Sequence, residues 1–212
     1  MRIFKRVLEK KPKEQNKPKP SSSTFPKLYK TDEMISKSLF WEIISKSLEK
    51  SHSQNSQEER LIELLLELTP QQMIGFRLRT DKLLYESYTS EMWCAAYLMN
   101  GGCSDDNFEY FRCWVISLGQ QIFEKSLNRP DILIDFVQDH QEIYEFEDLW
   151  YVAIRAFENK TGKNLFDYID YETFTTREGN YPTLEFNWQE EDPESMKLIC
   201  PELFKRFWVL KE

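Results

Sequence analysis

A chain of 212 residues and 25.6 kDa has room for one sizeable domain, and 41% hydrophobic content weighted by 6 Trp, 10 Tyr and 15 Phe supplies its core. Only 6 Gly, no apolar run near the ~20 residues of a membrane span, and four Cys without a Cys-x-x-Cys pair exclude a collagen-like chain, a transmembrane helix, a disulfide scaffold and a zinc ribbon. The net charge of −8 divides into +8 over residues 1–30 (ten basic, two acidic) and −16 over residues 31–212 (18 basic, 34 acidic), so the body repels a phosphate backbone.

Residues 1–30 read as a basic, largely disordered tail. Between residues 11 and 23 the chain mixes Lys, Pro, Ser, Gln and Asn, which bury too little apolar surface to order themselves. Ile3, Phe4, Val7 and Leu8 would share one face of a short helix, with Arg2, Lys5 and Arg6 beside them. That pattern suits contact with an anionic surface, with a solvated tail as the bland alternative. The absence of an apolar stretch after the basic start argues against a secretory signal, and sparse Cys suits a reducing, cytoplasmic compartment.

From residue 31 the pattern is helical. Leu39, Phe40, Trp41, Ile43 and Ile44 begin an amphipathic segment that ends in the polar stretch 51–57. Leu61, Leu64, Leu65 and Leu68 fall at i, i+3, i+4, i+7, the apolar stripe of a packed helix. Thr69 as N-cap, Pro70 in the first turn and Gln72 as the returning partner predict a helix start, and its apolar residues continue to about residue 88. A further helix is predicted over 91–100, stopped by Gly101 and Gly102. The longest is expected over 108–126, along Phe111, Val115, Leu118 and Ile122. A short segment follows Arg129-Pro130-Asp131, and another helix runs from 146 to 160 before Gly162. Residues 164–188 suit either a short hairpin or irregular chain. Pro193 and Pro201 start two last short helices. The expectation is a mainly α, single compact domain of about six to eight helices over residues 31–212.

Several stretches carry a resemblance: Phe40-Trp41, then Met92-Trp93-Cys94-Ala95-Ala96-Tyr97, Asn100-Gly101-Gly102-Cys103-Ser104-Asp105-Asp106-Asn107-Phe108, and on through Arg112-Cys113-Trp114 to Gly119. Arg129-Pro130-Asp131, Tyr151-Val152-Ala153 and Pro201-Glu202-Leu203 also fit. Over residues 36–209 the chain resembles the bacterial family called domain of unknown function 4240. The resemblance implies a compact, helical, cytoplasmic bacterial domain and supplies no catalytic residue.

The most site-like group is Ser104, Asp105, Asp106 and Glu109. Three carboxylates within five residues suit a hard cation or a basic group on a partner. The spacing is not that of an EF-hand, and capping by Ser104, with acids at the positive helix end, explains the same residues without a ligand. Glu109 and Arg112, one turn apart, suit an ion pair. Trp93 and Tyr97, with Tyr110, Phe111 and Trp114, either line an aromatic wall beside the acids or belong to the core. Neither His52 nor His140 stands in a motif that would activate a cysteine, so Cys94, Cys103 and Cys113 read as buried, free thiols. The expected binding residues are therefore Asp105, Asp106, Glu109, Arg112, Trp93 and Tyr97, with no catalytic residue and no metal ligand. The expected function is a non-catalytic, protein-binding or regulatory domain whose acidic surface takes a partner with a basic face. The main domain is not expected to bind nucleic acid. One specific form is an immunity-type inhibitor of a basic toxin. The competing class is an enzyme using a divalent ion at the Ser104-Asp105-Asp106 helix start; otherwise no cofactor is expected.

Overall fold

A computed structural model describes residues 27–208. The disorder expected of the tail falls almost wholly on residues 1–26, which lie outside the described residues. Among the described residues the chain forms nine α-helices: α1 (Lys37–Leu48), α2 (Gln54–Glu67), α3 (Pro70–Glu86), α4 (Ser90–Asn100), α5 (Asp105–Ser117), α6 (Gln120–Asn128), α7 (Glu147–Thr161), α8 (Pro193–Ile199) and α9 (Pro201–Phe207). Two 3-10 segments, Pro130–Phe136 and Leu165–Tyr168, complete the regular structure. The β pairing in this region is limited to two isolated bridges, Thr31 with Ile169 and Gln189 with Asp192. The mainly α class is thus the observed one. No helix of the described residues is long and apolar enough to cross a membrane.

Most helix starts follow from side-chain capping. Ser36, Thr89 and Ser104 each accept the backbone N–H three residues on, and Ser53 and Thr69 complete reciprocal boxes with Ser56 and Gln72. Gly101 and Gly162, both at φ 69°, end α4 and α7 in the left-handed conformation. The helix expected over 108–126 is two helices. Gly119 adopts φ 101°, which halts α5 and lets α6 leave in a new direction. The apolar stripe conceals this break because Val115 before it and Phe123 after it are both buried in the same core. Residues 170–188 form irregular chain rather than a hairpin.

Helix α7 is the central element, packed against α2, α3 and α5. Its Leu149, Val152, Ala153, Ala156 and Phe157 recur with helical period and are all buried. On the far side α4 packs against α8, α9 and the segment Pro130–Phe136. Buried Asp131 fixes that segment to α9, accepting the N–H groups of Glu202 and Leu203 at 3.0 Å each. Arg129-Pro130-Asp131 and Pro201-Glu202-Leu203, far apart in sequence, therefore form one structural unit.

Candidate functional site

A cleft of 400 Å³ opens where the end of α3 and the first turns of α5 and α7 meet the irregular segment that contains Glu178 and Tyr181. Its floor is Arg112, 1% exposed. The helical period points this side chain away from solvent, towards the last turn of α3. There Nη1 donates to the Leu84 carbonyl at 2.5 Å, while Nε donates to Phe108 O at 3.1 Å. The guanidinium carbon lies 4.4 Å from the Phe108 ring centroid, 4.8 Å from Tyr181 and 5.1 Å from Tyr88. Tyr88 and Tyr181 stack nearly parallel, 4.3 Å apart.

Glu109 stands above Arg112, and the expected ion pair between them is absent among the described residues. Glu109 instead accepts a hydrogen bond from the Tyr181 hydroxyl, O to O 3.2 Å. The cause is steric: the guanidinium is drawn down to the Leu84 carbonyl of α3 and the Phe108 carbonyl of α5, away from the Glu109 carboxylate. Burial, and then the nearby Glu178 charge, hold the Glu109 carboxyl above its ordinary value, against the opposing pull of Arg112. Burial pushes the Tyr181 phenol up as well.

Asp105 and Asp106 occupy the first turn of α5, exposed, after Ser104 has already accepted the Asn107 N–H. Neither makes a hydrogen bond or ion pair among the described residues, and both line the cleft. The capping function and the acidic rim are thus divided between Ser104 and its two successors. Tyr110, Trp150 and Tyr151 complete the wall opposite.

Behind Trp150 sits a second buried cation. Arg77 pairs with Asp81 at 2.6 Å, donates to the Trp150 carbonyl at 2.7 Å, and places its guanidinium carbon 3.5 Å from the indole centroid. Burial raises the Asp81 carboxyl while Arg77 pulls it back. Arg112 on Tyr88 and Tyr181, Arg77 on Trp150 and Arg155 on Tyr151 thus already take faces of four of the five aromatic rings that line this site.

Of the six expected binding residues, Asp105, Asp106, Glu109 and Arg112 converge on the cleft. Trp93 and Tyr97 do not line it. Trp93 stacks on Phe108 at 4.3 Å and meets Phe186 edge-on, while Tyr97 packs 5.3 Å from Trp188 with its hydroxyl bonded to Glu190. Phe111 and Trp114 are core; Tyr110 alone of that ring group borders the acids. Sequence reasoning missed Arg77, Asp81, Trp150, Glu178 and Tyr181. The Arg77/Asp81 spacing of four, set among apolar Phe76, Leu78 and Leu84, was a usable signal; nothing local marks Tyr181, 72 residues beyond its partner Glu109.

Among the described residues no three His, Cys, Asp or Glu side chains gather into a set able to hold a metal ion. Cys94, Cys113 and Cys200 are buried, Cys103 is half-buried, and all four are free. Burial pushes the Cys103 thiol up to about 12 and raises Cys113 too, so neither is poised as a thiolate nucleophile.

Residues 35–159 match the family described as a protein of unknown function, DUF4240. The chain belongs to that family. The match runs from the approach to α1 through nearly all of α7, so every helix that walls the cleft lies inside the DUF4240 region. Glu178 and Tyr181 come from beyond it, as does Pro201-Glu202-Leu203. No curated protein and no solved structure shows significant similarity to this DUF4240 chain.

Proposed function

We propose that this DUF4240 protein is a non-catalytic binding domain whose cleft receives a basic segment of a partner protein. One observation carries the reading: four carboxylates, Asp105, Asp106, Glu109 and Glu178, surround a 400 Å³ cleft whose single cation, Arg112, is already enclosed by three rings and two carbonyls. An incoming lysine or arginine meets unpaired aspartates at the rim and finds faces of Tyr88, Trp150, Tyr151 and Tyr181 already occupied by the protein's own arginines. Its attraction is therefore carboxylate-led, with little cation–π contribution. The −16 of residues 31–212 supports the same partner by steering basic surfaces towards the domain. Among the described residues the cleft lining contains no His and no Cys, so it offers no imidazole-activated thiol or hydroxyl. Four unbridged thiols support a cytoplasmic setting.

Fluorescence anisotropy with a labelled lysine- and arginine-rich peptide tests the proposal. Binding is expected to weaken about tenfold or more, the scale of one lost charge contact of ~1.4 kcal/mol, in the Asp105→Asn/Asp106→Asn variant and to fall with added salt, with the melting temperature little changed. Equal binding of a glutamate-rich peptide, or unchanged affinity in the variant, would refute it.

A further inference from the structure

We propose that the resident occupant of the cleft is the chain's own lysine-rich segment, residues 10–20, so that an outside basic ligand binds by displacing it. The inference rests on the cationic-ligand reading of the cleft given above.

Residues 10–20 carry Lys10, Lys11, Lys13, Lys17 and Lys19 against the single acid Glu14, a block of positive charge matched to the four carboxylates of the cleft. The rings of Pro12, Pro18 and Pro20 each remove a backbone torsion from the unbound chain, which reduces the conformational entropy lost on binding. The point of attachment is favourable. The Tyr29 carbonyl accepts from Gln71, and Thr31 exchanges backbone hydrogen bonds with Tyr168 and Asp170 at 3.1 and 2.9 Å. Asp170 leads directly into the irregular segment that supplies Glu178 and Tyr181. The basic segment thus joins the domain beside the chain that borders the cleft.

Reach is sufficient. Lys10 to Lys19 stand 8 to 17 residues before Lys27, the first described residue, a contour of ~27–58 Å against ~40 Å across a domain of this size. A tethered segment at an effective concentration of about 1 mM, with an intrinsic Kd of about 100 µM, weakens an outside competitor by about tenfold.

Two measurements on the full chain test this. Carbodiimide treatment of dilute protein, followed by peptide mapping of the monomer, is expected to join lysines of 10–19 to Asp105, Asp106 or Glu178. A variant with Lys10, Lys11, Lys13, Lys17 and Lys19 all changed to Gln is expected to bind labelled octalysine about tenfold more tightly than the parent. Equal affinity of the two chains, with binding still lost in Asp105→Asn/Asp106→Asn, overturns the tail inference and leaves the cleft reading standing. Octalysine binding to neither chain overturns the cleft reading itself. Cross-links confined to the dimer overturn the intramolecular arrangement.

Discussion

Arg112 is a guanidinium 1% exposed with no carboxylate within ion-pair distance among the described residues. Such a charge persists only if its hydration is replaced, and here the replacement is two backbone carbonyls and three ring faces. The Leu84 carbonyl belongs to the last turn of α3, where unsatisfied C=O groups concentrate the negative end of the helix. Arg112→Lys keeps the charge but loses the planar fork, and is expected to cost about 2–4 kcal/mol in denaturant unfolding, from two charge-assisted hydrogen bonds imperfectly replaced. Glu109 carries a different liability. Its folded carboxyl is raised above the unfolded-chain value, so its favourable contribution is complete below the unfolded value and is lost as pH rises through the folded one. Glu109→Gln keeps an acceptor for Tyr181, and its melting temperature is expected to match the parent in acid and exceed it near pH 7. A variant less stable than the parent at neutral pH would contradict that assignment. Arg112 attracted notice through its spacing from Glu109, yet Leu84, Tyr88 and Tyr181, three of its four partners, lie outside α5, where spacing within that helix encodes nothing.

Among the elements, α3 depends on close approach. Gly75 passes the segment before α1 so tightly that a Cβ there would lie 2.8 Å from Ile35 N and 3.0 Å from Glu33 O, while Gly75 O accepts the Ile35 N–H at 3.1 Å. Alanine has the higher helix propensity, by ~1 kcal/mol, but backbone atoms on both sides must move to admit it. Gly75→Ala is expected to destabilise by about 1–3 kcal/mol, measured by urea titration. The junction of the 3-10 segment Pro130–Phe136 with α9 makes a second demand. Asp131→Ala strands the N–H groups of Glu202 and Leu203 and is expected to cost about 2 kcal/mol, with hydrogen exchange accelerated first in α8 and α9. The helix starts at Thr69 and Ser104 and the stops at Gly101 and Gly162 were legible because each is a local arrangement of neighbouring residues. The break at Gly119 was not, since burial on both sides of it preserves the apolar stripe.

Across the whole molecule, charge separates into a +8 segment and a −16 remainder. Self-repulsion within so acidic a body opposes compactness, and salt screens it. Raising ionic strength is therefore expected to increase the melting temperature while weakening the binding of a basic peptide. Effects of the same sign on both would contradict a domain whose acids are kept for attraction.

The helical class, most helix starts and the unequal distribution of charge were settled by the order of residues, because caps, apolar period and composition act over a few neighbouring positions. So was the presence of acids at the start of α5. The cleft was settled by packing. Glu178 and Tyr181 reach Glu109 and Arg112 only because residues 170–188 cross the ends of α3 and α5, and Trp150 meets Arg77 only because α7 packs against α3. Trp93 and Tyr97 show the converse: an aromatic period announces that a ring will be covered, and the chain that covers it, here residues 186–190, is chosen by the tertiary fold. A side chain's burial is written in its own neighbourhood, whereas its partner is written wherever the folded chain returns.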